Sequence, residues 1–403
     1  MKNDFKVIIV GGGASGLFCA LELLRSNNAI LGKEILILEK NDRVGKKIVA
    51  TGNGQGNLTN AFISEENYHG DNLFIKEFLS NLKDINIQEY LKDLGIYLTT
   101  DKDGKQYPLS KQANAFLDVV RGFLTQKGVV IKVDEQVNKV TKVKNVFKVH
   151  SLKFEYIAKK VVLAFGGKAG PQYGTDGNSY ILAQNFGHKL TALYPSLVQL
   201  KTNTESIKGL RGLKEKVRVT AYDNGVKLKQ CVGEVLFTEY GVSGNAIFSL
   251  SGYLTDAKKP SISIEFLPDF TFEQVKEILK KREDLSYIDR EDKLIGLINK
   301  KIGQALIRKC KSENVEEIAK VIKNFSLTIT GNLGFNYAQV TKGGIATGQI
   351  DKGTMQSKLE KGLYIVGEAL DVDGDCGGYN LTFAFVCGIL SARDIKEGLL
   401  KGE

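Results

Sequence analysis

The chain has 403 residues, 42% of them hydrophobic and 25% charged, an ordinary balance for a folded protein of two or three domains. That composition excludes a collagen-like, coiled-coil or mostly disordered chain. The formal charge is +10, but lysine is spread along the chain without a basic block, which reads as solvated surface charge and not as a nucleic-acid groove. Taken in chain order, Lys6 to Val10 (KVIIV) is a β-branched run of the kind that forms a buried parallel strand. It leads into Gly11-Gly12-Gly13-Ala14-Ser15-Gly16, and then into a helical pattern with Leu17, Ala20, Leu21 and Leu24 on one face. A second strand, Ile35 to Lys40, carries Glu39 near its end, 23 residues after Gly16. Gly11, Gly13 and Gly16 supply the G-x-G-x-x-G spacing of a dinucleotide-binding β-α-β unit. In that unit Gly11 makes the tight turn, Gly13 admits a pyrophosphate to the backbone, and Gly16 lets helix and strand pack closely. The helix N-terminus at Ala14 and Ser15 offers free N–H groups to phosphate, and Glu39 can accept from ribose hydroxyls. The fingerprint alone does not separate FAD from NAD.

After Glu39 and Lys40 comes a loop rich in glycine, asparagine and lysine: Gly45-Lys46-Lys47, then Thr51-Gly52-Asn53-Gly54-Gln55-Gly56-Asn57-Leu58-Thr59-Asn60. Such a loop can follow an extended ligand with backbone amides, with lysine near the phosphates. Its residues resemble the second fingerprint of a bacterial FAD-dependent oxidoreductase family that includes aminoacetone oxidase and a flavin reductase found with bile-acid-converting genes. The match covers Gly45, Lys46, Lys47, Thr51, Gly52, Asn53, Gly54, Asn57, Thr59 and Asn60. It departs at Gln55-Gly56, where the family commonly has Arg-Cys. The resemblance continues through Val161 to Leu200, Gly233 to Gly244, Ala338 to Gly344, Thr354 to Lys358, Gly362 to Glu368, Asp371 to Gly374 and Gly377 to Leu381.

The resemblance implies an α/β fold: a Rossmann-like, glutathione-reductase-like FAD-binding domain interrupted by an inserted β domain with a small helical bundle. The expected boundaries are 1–190 and 338–403 for the discontinuous FAD domain and 191–337 for a substrate-side insert, with helices over about 270–326. Val133 to Ala164 reads as a small β-ribbon. Within the insert, Asp223-Asn224-Gly225 is a hairpin signal. The stretches 272–284, 292–310 and 314–325 read as helices.

The cofactor expected from this resemblance is FAD; the chain has no second G-x-G-x-x-G, which leaves either NAD(P)H as a transient co-substrate or the organic substrate itself as the reductant. The expected contacts add the backbone near Val137 (adenine), the strand end Gly166-Gly167, Gly367-Glu368, and Gly377-Gly378 with Asn380 and Leu381. The last group opens a helix whose amides are expected to face the flavin pyrimidine edge, the glycines keeping β-carbons away from the ring. No catalytic acid or base is singled out. His188 reads as structural, and His69 and His150 as surface groups. Tyr173, Tyr240 and Tyr337 read as packing residues able to donate a proton, and Cys376 as a small residue at a turn.

The function expected is hydride transfer between flavin and a small enone-like or amine substrate. The rivals are an oxygen-using amine oxidase and, further off, a tRNA-binding flavoprotein. The five cysteines are scattered without a C-x-x-C pair, so neither a disulfide framework nor a metal site is expected. The N-terminus lacks signal-peptide architecture, and no apolar run approaches the ~18 residues of a membrane span. A cytoplasmic protein without a membrane or nucleic-acid partner is the expectation, with oligomeric state left open.

Overall fold

The structure, a computed structural model, describes residues 4–25, 30–283, 289–312 and 314–402. The chain divides into two compact units: Met1–Leu193 with Val340–Glu403, and Tyr194–Gln339. The first unit is built on a seven-stranded sheet. Strand β1 (Asp4–Val10) pairs in parallel with β2 (Ile35–Leu38) on one side and with Glu155–Leu163 on the other. Val130–Lys132 adds a parallel strand beyond β2.

Glu155–Leu163 divides its far edge. Its first half pairs antiparallel with Val146–Ser151, and its second half pairs in parallel with the returning strand Leu363–Ile365. The expected ribbon over 133–164 forms, with Val137–Val143, Val146–Ser151 and Glu155–Leu163 paired antiparallel in turn, but it is continuous with the main sheet. Its last strand is central to the main sheet, because Val161, Val162 and Leu163 are fully buried and an apolar run of that kind needs cover on both faces.

Helix α1 (Ala14–Leu24) follows β1 and is buried almost all round, from Ser15 to Leu23. The expected single apolar face is too narrow. The C-terminal helix (Tyr379–Leu400) covers α1's other side, and a Cβ at Gly388 would sit only 2.2 Å from Ser15 O. Two small sheets complete this unit. Thr59–Asn60 pairs with Lys105–Pro108, which pairs with Leu98–Thr100, and Tyr68–Gly70 pairs antiparallel with Val372–Gly374.

The second unit contains a closed six-stranded barrel. Its order is Leu200–Thr202, Gly241–Ser243, Val226–Phe237, Lys214–Asp223, Pro260–Glu265 and Phe325–Asn332, which returns to the first strand. The hairpin at 223–226 forms where its residues demand it: Asn224 (φ 47°) and Gly225 (φ 81°) both take positive φ, as a tight two-residue hairpin turn requires. Helices span Phe272–Glu283, Lys300–Lys309 and Val315–Lys323. The middle one starts later than its pattern suggests. Gly296 lies in the left-handed region at φ 78°, and the Asn299 side chain accepts from Lys301 N, capping a new start. Among the described residues no helix is long and apolar enough to cross a membrane.

Candidate functional site

The first glycine turn is a product of close backbone approach. Gly11 has φ 107°, its N–H donates to Leu38 O (2.8 Å), and a Cβ there would fall 2.3 Å from Ala164 O. A Cβ at Gly16 would fall 2.1 Å from Gly11 O, so helix and turn touch directly. At Gly13 a Cβ would meet nothing within 4 Å. Gly11 and Gly16 thus serve packing, and Gly13 faces open space. Gly13 caps α1 without a side-chain bond, and the helical ladder begins only with Leu17 N to Gly13 O (2.9 Å). The N–H groups of Ala14, Ser15 and Gly16 therefore point beyond the helix end, a ready site for an anion.

Glu39 is buried beside this turn. One carboxylate oxygen accepts from Gly12 N (2.8 Å); the other accepts from Asn41 N (2.8 Å) and Asn41 Nδ2 (2.7 Å). A carboxylate offers about four acceptor positions, so one remains for a ligand hydroxyl. The Glu39 backbone is tied to Lys132 O and Glu135 N, both at 2.9 Å. That brings the start of the Val137–Val143 strand to the same end of the sheet as Glu39, with Val137 itself buried.

The loop after Glu39 folds back on the turn through Gly45 N to Gly12 O (2.8 Å). Its three lysines all have carboxylate partners: Lys40 with Asp176 (2.9 Å), Lys46 with Asp42 (3.1 Å) and Lys47 with Glu368 (2.8 Å). Lys47 also donates to Ala169 O (3.0 Å). It is a tie across the unit before it is a phosphate ligand. Gly52, Asn53, Gly54 and Gly56 all have positive φ, and Thr51 Oγ1 donates to Ile48 O (2.7 Å). At Gly56 (φ 77°) a Cβ would come within 3.1 Å of Ala113 Cα, which gives a steric reason for glycine at this departure from the family pattern.

The returning segments close around the α1 end. A Cβ at Gly367 would lie 2.7 Å from Ser15 Oγ. Gly166 has φ 78°, and a Cβ at Gly167 would lie 2.4 Å from Thr341 Oγ1. That hydroxyl accepts from Lys168 N (2.8 Å) and Ala169 N (2.9 Å), and Thr341 N donates to Glu368 Oε1 (3.0 Å). Thr341 therefore organises the Gly167 and Glu368 segments. Sequence reasoning passed over it because a lone threonine carries no signal.

The C-terminal helix is capped by Gly378 (φ 98°) without a side-chain bond, and its ladder begins with Thr382 N to Gly378 O (3.1 Å). The amides of Tyr379, Asn380 and Leu381 are thus a second set of uncapped donors. At Gly378 a Cβ would fall 2.4 Å from Thr59 O, so a neighbouring strand by itself already requires glycine there. In the orientation that satisfies its neighbours, the Asn57 amide accepts from Gly378 N (3.2 Å) and donates to Thr59 O (3.1 Å). The Asn380 side chain is spent on Gly374, accepting from its N and donating to its O, both at 2.8 Å.

His69 is not the surface group its sequence context suggested. It is half-buried on Tyr68–Gly70, with Nε2 3.0 Å from Asp375 Oδ1. The pairing was invisible because the two residues lie 306 positions apart. Burial pushes the Cys376 thiol above its ordinary pKa, which suits a packed turn residue. His188 is buried against Ser357, and His150 is paired with Glu155. Tyr173 is half-buried near Asn41, which donates to its carbonyl (3.0 Å). Tyr240 is half-buried and Tyr337 exposed, both in the second unit.

Two uncapped helix ends, an open glycine and a buried acid with one acceptor position free fit an extended dinucleotide with a central pyrophosphate. The chain matches the HI0933-like protein Rossmann domain family over residues 5–394. It is 33% identical to a 3-dehydro-bile acid delta(4,6)-reductase of Clostridium scindens, covering 97% of this chain and 99% of that protein. It is 28% identical to a ribosomal RNA dihydrouridine synthase of Haemophilus influenzae, covering 98% and 100%. Among solved structures, a 3-ketosteroid-delta4-(5alpha)-dehydrogenase from Rhodococcus jostii RHA1 shares the fold, with a TM-score of 0.52 at 16% identity over 98% and 97% of the two chains.

Proposed function

Since the chain belongs to the HI0933-like Rossmann family and is an FAD-dependent oxidoreductase, we propose that it reduces a carbon–carbon double bond conjugated to a carbonyl group, with a steroid enone as the leading substrate. The observation that carries this reading is the full-length likeness to a delta(4,6)-reductase of a 3-oxo bile acid. The dihydrouridine named by the other relative is uridine with its C=C bond, conjugated to C=O, reduced, so one reaction type accounts for both likenesses.

When bound, FAD supplies the hydride chemistry of its ring. The residues of this chain do the rest. The amides of Ala14, Ser15 and Gly16 would hold the pyrophosphate, with Gly13 leaving room for it. Glu39, held by Gly12 and Asn41, presents its remaining acceptor position to a ribose hydroxyl. Val137 backbone, Gly52 to Gly54 and Asn57 would contact the rest of the extended cofactor. The uncapped amides of Tyr379, Asn380 and Leu381 would favour the negative charge that gathers on the ring on reduction. Lys47, Glu368 and Thr341 hold the segments around them in register. NAD(P)H enters as a passing reductant, as the chain has one dinucleotide fingerprint.

A second reading, reduction of uracil within an RNA, is favoured by the 28% likeness over whole chains. The test is anaerobic. Reduced enzyme is mixed with 3-oxo-Δ4 and Δ4,6 steroids, with a uridine-containing RNA and with saturated controls, and return of the yellow oxidised absorbance is followed. Reoxidation by the steroid enones supports the first reading. Reoxidation by RNA alone, with salt-dependent binding, supports the second. Reduction of the oxidised enzyme by amines with peroxide release, and no response to any conjugated compound, would replace both with an amine oxidase.

A further inference from the structure

We propose that His69 and Asp375 form the proton-donating pair of this reduction, with the His69 imidazolium as the acid and Asp375 as the carboxylate that orients it. The proposal rests on the reading that the substrate is a conjugated carbonyl compound. The pair is assembled by the short antiparallel sheet of Tyr68–Gly70 and Val372–Gly374, in which His69 stands opposite Asp373. The chain then turns at Asp375, whose N–H donates to Asn67 O (2.9 Å). His69 Nε2 lies 3.0 Å from Asp375 Oδ1, and the two side chains are 27% and 16% exposed, so the pair is held in place yet open to a ligand.

Its position matters. Asp375 lies three residues before Gly378, the cap of the helix whose first amides are uncapped. Uncapped amides favour negative charge, and Asp375 is tied to this helix start, its carbonyl accepting from Asn380 Nδ2 (3.4 Å), so the pair can supply the proton that such charge requires. The neighbouring proton-bearing groups suit the task less well. Burial pushes up the pKa of the Tyr379 and Tyr107 hydroxyls and of the Cys376 thiol, and the charge of Asp375 adds to the effect on Tyr379 and Cys376. Lys105 opposes it at Cys376 and itself pairs with Asp103 (3.7 Å), Asp101 and Asp103 add to the effect on Tyr107, and Asp373, opposite His69, is buried. Histidine is the side chain whose ordinary pKa lies in the neutral range.

The step balances as follows. The β-carbon gains a hydride from the reduced flavin, which is oxidised. The electron pair of the C=C bond moves to the α-carbon and carbonyl oxygen. The α-carbon forms its new C–H bond with the proton leaving His69, which becomes neutral imidazole, and the saturated ketone departs. Water returns the proton to His69.

The experiment isolates this half-reaction. FAD-loaded enzyme is reduced with dithionite and mixed without oxygen with a 3-oxo-Δ4 steroid, from about pH 5 to about pH 9. The wild-type rate should fall on the alkaline side. His69→Gln should lower the rate by roughly 100-fold or more and flatten that limb, with FAD content unchanged. Asp375→Asn should also lower the rate with FAD content unchanged, since the imidazole loses the carboxylate that orients it.

A second measurement needs no turnover and no His69 variant. The chain has three histidines, so 15N-histidine NMR of the wild type, assigned with His150→Gln and His188→Gln, reads the His69 titration directly. Its midpoint should coincide with the kinetic limb. A His69→Gln enzyme with the wild-type rate and limb, or a His69 resonance that does not titrate in this range, overturns the pair's role and leaves the enone reading standing. A wild-type enzyme that no conjugated carbonyl compound reoxidises overturns the enone reading itself, and the pair's role with it.

Discussion

Glu39 holds the turn at Gly12 and the loop at Asn41 with both its oxygens, and in the proposed reading its remaining acceptor position takes a ribose hydroxyl. A charged hydrogen bond contributes about 1.5–3 kcal/mol, so Glu39→Ala should weaken FAD affinity by roughly ten- to a hundred-fold, read as a dissociation constant by flavin fluorescence. An unchanged constant would remove Glu39 from the ribose. His188 makes a different prediction. Ser357 Oγ accepts from Leu359 N and Glu360 N, both at 3.0 Å, so its own proton goes to His188 Nε2 at 2.8 Å. His188 is then neutral with its proton on Nδ1, which is buried without a hydrogen-bond partner, and burial lowers its pKa. The unfolded chain takes up this proton near pH ~6.5 and the folded chain only at lower pH. The contribution to stability is therefore full above about pH 6.5 and declines as pH falls toward the folded value. Urea midpoints near neutrality and about two units below should differ less in His188→Gln than in the wild type. An equal pH dependence in the two proteins would show that His188 carries none of it.

Two helical glycines give opposite predictions for the same substitution. By propensity alone, Gly→Ala inside a helix stabilises by about 0.5–1 kcal/mol. Gly122 sits in the helix Ala113–Gln126, exposed, with nothing within 4 Å of its added Cβ, and Gly122→Ala should follow that rule. Gly388 faces Ser15 O at 2.2 Å, where the backbone of α1 cannot move aside cheaply. Gly388→Ala should instead destabilise by about 1–3 kcal/mol through overpacking. Denaturant unfolding of both variants checks the signs, and a stabilised Gly388→Ala would mean that the two helices can separate at little cost. The sequence shows each glycine equally plainly; only the helix crossing distinguishes them. Gly378 belongs to the same lesson. Its glycine doublet announced a turn before a helix, but the Thr59 carbonyl that excludes a β-carbon comes from more than 300 residues earlier in the chain.

At the scale of the molecule, the complete β-α-β unit with its acid implies a cofactor that includes an adenosine ribose, which FMN lacks. Heat release of the cofactor followed by chromatography should therefore yield FAD; recovery of FMN alone would contradict the role given to Glu39. The net charge of +10 is shared along the chain, so the uracil reading requires a binding surface that composition does not reveal, and the salt dependence of RNA affinity measures it.

The nucleotide-binding turn was legible because its physics is local. A β-branched strand, three spaced glycines, a helix and an acid follow one another within 40 residues, and each acts on its near neighbours. The Asn224-Gly225 hairpin was legible for the same reason. The closed barrel was not, because Leu200–Thr202 finds Phe325–Asn332 across more than a hundred intervening residues, and neither strand's pattern names its partner. The same holds for Lys47 with Glu368, Thr341 with Gly167, and His69 with Asp375. Sequence periodicity records which face of an element is apolar. It does not record which distant polar groups share a site, because a hydrogen bond between residues hundreds apart leaves no trace in either neighbourhood. The chain alone therefore determined the dinucleotide turn and its acid, and tertiary structure alone decided which groups surround them.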